Sequence, residues 1–105
     1  MKNAVLGTRY VLSVACISAA EIRVLNKTHR KKDTATDILS FPLSKNEGEI
    51  LMCLSEAKLE AKKFDREFEN FVAFLFIHGL VHLKGFDHGS TMESLERKFR
   101  KIFGV

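Results

Sequence analysis

Residues 65–85 leave this chain little choice of fold. They predict one long helix to about Lys84, because Phe68, Phe71, Val72, Leu75 and Phe76 recur at the spacing of an inward-facing stripe. His78 and His82 lie farther along that helix, and positions i and i+4 share a face, so two imidazoles can reach one metal ion. Gly85 comes three residues later and ends the helix, since glycine enters the left-handed conformation without a Cβ clash. The reversed chain can then bring up His88 as a third ligand. Three neutral nitrogens and one open position describe a catalytic zinc site better than a structural one. Zinc suits three imidazoles best, although other divalent transition metals such as nickel and copper bind them too. A lone histidine on an apolar face is more often a hydrogen-bonded core residue, but three converging beside a core call for a metal. Asp87, next to His88, is a candidate acceptor for an imidazole N–H; the plainer alternative is a solvated turn residue.

The rest of the chain supplies a sheet for this helix. Residues 1–9 show no clear period and read as a tail or short first element. Residues 10–17 (YVLSVACI) are β-branched and apolar, which predicts a buried strand. Ser18 and Glu21 form a capping box, opening a helix to about His29 with Ile22 and Leu25 inward. Residues 37–41 (DILSF) predict a second strand stopped by Pro42, and residues 45–48 a turn. Residues 49–54 (EILMCL) read as a third strand and 55–63 as a short helix. Ser90 and Glu93 suggest a second capping box, starting a last helix with Met92, Leu95, Phe99 and Ile102 facing in. The expected class is α+β, a small three-stranded sheet packed with about four helices, one of them a zincin-like metal helix. Strand order does not follow from the sequence.

At 105 residues the chain is a single domain, 1–105, long enough for one core. Cys16 and Cys53 lack CxxC spacing and read as buried free thiols of a reducing compartment. No stretch approaches the ~20 apolar residues of a membrane span. Arg9 and Tyr10 interrupt what faintly imitates a secretory signal, so the expected location is cytoplasmic. The net charge of +4 tilts towards a polyanionic partner. Lys27, Lys31 and Lys32, clustered with Arg30 at the end of the first long helix, are candidate contacts to such a partner; a solvated charged face is the alternative.

The histidine spacing coincides with the metzincin protease motif H-E-x-x-H-x-x-G-x-x-H. Gly79 stands where those proteases carry the glutamate that serves as general base, which argues for another substrate. The stretch HGLVHLKGFDH resembles instead the H-G-x-x-H-x-x-G-x-D-H signature of the YbeY family of bacterial and organellar endoribonucleases. Two further blocks agree: LNKTHRKKDTATDILSFPL resembles the family's N-x-x-[YH]-R…TD-[VI]-LSFP segment, and GEILMC resembles its G-[DE]-I-x-[IM]-[SC] strand. The resemblance runs from about Tyr10 to the end, and it implies that the family's N-terminal strand and helix are shortened here.

What the resemblance implies is metal-dependent cleavage of single-stranded RNA, in ribosomal RNA maturation and ribosome quality control. Its metal ligands fall on His78, His82 and His88, and its functionally important arginine on Arg30. Arg30 would then pair with the scissile phosphate, and the neighbouring lysines would add salt-dependent attraction to the RNA backbone. The rival expectations are a ribosome assembly factor with a structural metal and a metallopeptidase.

Overall fold

The computed structural model describes residues 1–85 and 89–105. Its elements follow the order α1 (Lys2–Leu6), β1 (Val11–Cys16), α2 (Ala19–Arg30), β2 (Ile38–Ser44), β3 (Glu47–Met52), α3 (Leu54–Lys63), α4 (Phe68–Leu83) and α5 (Ser90–Phe103). This is the expected α+β class, with a short fifth helix where a tail was an equal expectation. Val5 of α1 is buried, Lys2 Nζ donates to the Tyr10 carbonyl at 3.0 Å, and Lys84 Nζ donates to the Val5 carbonyl at 2.9 Å.

The sheet order is β1-β3-β2, with β1 parallel and β2 antiparallel to β3. A two-residue turn at Lys45 and Asn46 joins β2 to β3, whereas the parallel β1–β3 pair needs the longer crossover through α2 and β2. Side chains alternate across β2. Ile38 joins Ile50 and Met52 in the larger core against α4, while Leu39 joins Ile22 of α2 and Cys53 in a smaller cluster. The sheet is therefore covered by α2 on one face and by α4 on the other, and α1, α3 and α5 contact α4.

Five expectations change on folding. The first strand is not buried: β1 is a sheet edge, with Val11 58% and Val14 50% exposed. Cys16, at its end, is likewise exposed, and only Cys53 is the expected buried thiol. Pro42 does not stop β2, which continues to Ser44. A proline has no N–H for a ladder, but among the described residues β2 pairs only with β3, and the register shifts between Pro42 and Ser44, so an edge with a bulge accommodates it. The N-cap of α5 is Gly89, without a side-chain cap hydrogen bond, so Ser90 is already helical and the second capping box is not formed. Ile102 is exposed, whereas Met92 and Phe99 are buried as expected.

The first capping box does form: Glu21 N donates to Ser18 Oγ at 3.1 Å and Ser18 N to Glu21 Oε1 at 3.3 Å. Helix α4 starts at Phe68 rather than near Asp65, because Asp65 takes a left-handed φ of 52° that breaks it from α3. Once started, α4 is the core of the molecule. Phe71, Ile77, Leu80 and Val81 are at most 1% exposed, each burial stabilising the fold by about 1.5–3 kcal/mol.

Candidate metal centre and groove

The last two turns of α4 carry His78 and His82. Their ring centroids lie 5.2 Å apart with planes at 81°, as the i, i+4 spacing predicts. The flanking Ile77, Leu80 and Val81 point into the core and anchor the helix that holds both rings. The helix ends where Gly85 was expected to end it: Gly85 takes a φ of 105° and its N–H donates to the His82 carbonyl at 3.0 Å. The third expected ligand, His88, and its neighbour Asp87 lie outside the described residues.

One partner in this site was not anticipated from the sequence. Glu96 of α5, 6% exposed, places Oε1 2.6 Å from His78 Nδ1. A carboxylate on Nδ1 fixes the ring and its tautomer, and directs Nε2 to a metal; this is the usual environment of a metal-bound histidine. The signal was present: Met92, Glu96 and Phe99 share one face of α5, so a carboxylate stands within an otherwise apolar inward stripe. Among the described residues no three His, Cys, Asp or Glu side chains form a metal cluster. The two imidazoles, one oriented by a buried carboxylate, nonetheless form a donor set that fits a divalent transition metal completed by a further ligand. Glu96→Gln keeps the shape but removes the charge, and is expected to weaken zinc affinity about 10- to 100-fold, read by competition with a chromogenic chelator.

The histidines line an open groove of about 1010 Å³ between the end of α2, strand β2, α3, α4 and α5. Arg30, the last residue of α2, is exposed and lines the same groove, beside His29, whose ring meets the edge of Phe41 at 5.0 Å. The end of α2 is held by Asn26, a 2% exposed residue that also went unremarked in the sequence. Its Nδ2 donates to the Thr34 carbonyl at 2.9 Å, and its backbone carbonyl accepts from Lys32 N at 3.3 Å. Lys31 closes the helix in a left-handed conformation, φ 56°. Lys27, Lys31 and Lys32 are exposed around this helix end but are not among the residues lining the groove.

Asp37 also lines the groove. Burial pushes its carboxyl above the ordinary 3.8, and the nearby Glu60 adds to this, while the N–H groups of Asp37 and Ile38 and the Thr36 hydroxyl oppose it. The folded state thus favours the protonated form, and this contribution to stability is complete below pH 3.8 and is lost as pH rises through the folded value. Asp37→Asn should therefore raise Tm at neutral pH, with a smaller gain at about pH 4, in thermal melts at the two pH values.

The model of the Endoribonuclease YbeY family matches residues 1–103. The chain belongs to this family. The endoribonuclease YbeY of Alkaliphilus metalliredigens is 37% identical over 103 residues, a match covering 88% of this chain and 66% of the relative. That of Aquifex aeolicus is 41% identical over 97 residues, covering 87% and 64%. The enzyme of Carboxydothermus hydrogenoformans is 39% identical over 106 residues, covering 94% and 74%. This YbeY family chain thus spans about two thirds of the length of the first two relatives. The solution structure of a Thermotoga maritima protein superposes with a TM-score of 0.67 at 30% identity, covering 98% of this chain and 74% of that one.

Proposed function

We propose that this chain is a metal-dependent endoribonuclease specific for single-stranded RNA, acting in the cytoplasm in ribosomal RNA maturation and ribosome quality control. The observation that supports this reading best is the oriented His78–Glu96 pair in a groove that Arg30 also lines. Family membership and the relatives' names support the RNA substrate. A zinc ion, or another divalent transition metal, bound by His78, His82 and His88 would polarise a phosphate oxygen and acidify a water.

The chain's own residues have distinct parts in this scheme. Glu96 holds the His78 ring through Nδ1. Arg30 donates to the scissile phosphate, stabilising the charge that develops as the bond breaks. The lysines at the end of α2 attract the RNA backbone in a salt-dependent way. No helix among the described residues is long and apolar enough to cross a membrane.

The test sets single-stranded RNA, duplex RNA and casein before the zinc-loaded protein. Cleavage of the single strand alone supports the proposal, and the end groups identify the nucleophile: a 2′,3′-cyclic phosphate marks attack by the RNA's own 2′-hydroxyl. Cleavage of casein with RNA left intact would replace it by a metallopeptidase, a reading favoured by the edge strand β2 beside the groove, to which an extended peptide could pair. RNA bound but uncleaved in the presence of metal would leave a non-catalytic ribosome assembly factor.

A further inference from the structure

The groove that holds the histidines is also lined by a set of aromatic rings. Phe64, at the C-terminal end of α3, is 59% exposed although it is large and apolar. Its ring stacks on buried Phe71 at 5.6 Å and 19°, and Phe71 stacks on Phe74 at 5.7 Å and 20°. The guanidinium carbons of Arg66 and Arg100 lie over the Phe74 ring, at 4.7 and 5.1 Å. Phe64, Phe71, Phe74 and Arg100 all line the groove that contains His78 and His82. On α4, Phe74 lies one turn before His78 and Phe71 about two turns before it, about 10 Å along the axis.

An exposed ring backed by the core, next to guanidinium groups held in place by a second ring, combines the two things a single strand offers. A base presents a flat π-face, and its neighbouring phosphates present negative charge. A duplex keeps its bases stacked inside and cannot lay one on Phe64. Glu60, the acidic residue nearest in sequence on α3, is engaged by Lys63 at 2.9 Å.

We propose that Phe64 is the stacking platform for one unpaired base of the bound strand, and that Arg100, held over Phe74, contacts an adjoining phosphate. This subsite rests on the reading of the groove as an RNA site and adds the reason for its single-strand preference. It also gives the groove two pairings of cation and aromatic, Arg30 beside His29 and Phe41, and Arg100 over Phe74 with Phe64 in the same lining.

The chain contains no tryptophan, so Phe64→Trp introduces the sole indole as a reporter at the platform. Metal-free protein is titrated with a short single-stranded RNA, and with the same oligonucleotide made abasic, by fluorescence of that variant and by anisotropy of labelled RNA. The expected result is quenching by the base-containing strand and little by the abasic one. Phe64→Ala should lose about tenfold or more in affinity with the salt slope kept, while Arg100→Gln should lower that slope by about 1. Melting curves confirm that each variant is folded. Equal binding of intact and abasic strands, or an unchanged affinity in folded Phe64→Ala while the wild type still binds and cleaves RNA, overturns the subsite alone. A wild type that binds no RNA overturns the subsite together with the proposed function.

Discussion

His78→Ala is expected to abolish zinc binding and RNA cleavage together. The substitution removes one imidazole from α4, and it also leaves the Glu96 carboxylate, 6% exposed, without the ring that sits 2.6 Å away. A buried charged group deprived of its partner costs about 1–3 kcal/mol or more. In a domain of this size each kcal/mol moves Tm by about 4–8 °C. Loss of activity could thus be mistaken for loss of fold, and a double variant separates the two. His78→Ala with Glu96→Leu replaces the pair by apolar groups, and should recover Tm while zinc affinity and cleavage stay lost. Calorimetric zinc titration, thermal melts and RNA cleavage read the three quantities. Retained metal-dependent RNA cleavage in His78→Ala would sink the site assignment.

Restoring the protease glutamate by Gly79→Glu should destroy the fold rather than create a peptidase. A Cβ at position 79 would lie 3.0 Å from Ile38 Cδ1, 3.0 Å from Ser40 Oγ and 3.1 Å from Ile50 Cδ1, because α4 packs there directly on β2 and β3. Alanine would gain about 1 kcal/mol of helix propensity and lose about 1–3 kcal/mol to overpacking, so Gly79→Ala should be neutral to mildly destabilising. Glutamate carries four more non-hydrogen side-chain atoms than alanine and drives a carboxylate into the sheet. We expect a loss of about 3 kcal/mol or more, a fall in Tm of roughly 12 °C or beyond, and no casein cleavage. A folded Gly79→Glu protein melting with the wild type would show that the helix and sheet can separate at this point. The glycine that stands in place of the protease base is thus also the position that lets α4 lie against the sheet.

Some features of the site were legible because they are local. The i, i+4 histidines, the inward stripe from Phe68 to Phe76 and the glycine stop all lie within one turn or a few turns of backbone, where spacing dictates geometry. The Ser18–Glu21 capping box belongs to the same class. By contrast the apolar run of β1 gave no sign of its place at the sheet edge. A run of that kind suits a buried or a half-covered strand equally, and only the pairing order decides which it is. Pro42 misled for a related reason: a missing N–H stops a central strand but not an edge one.

The sequence by itself determined the histidine-bearing helix α4, its two described imidazoles, the helix stop and the α+β class. Each follows from short-range periodicity and from residue chemistry that no distant contact can reverse. Tertiary structure decided the strand order, the burial of Glu96 against His78, and the packing of Gly79 on the sheet. Those depend on residues brought together by chain folding; His78 and Glu96 are 18 positions apart and on different helices. Periodicity fixes which face a side chain takes on its own element, and only packing fixes what that face meets.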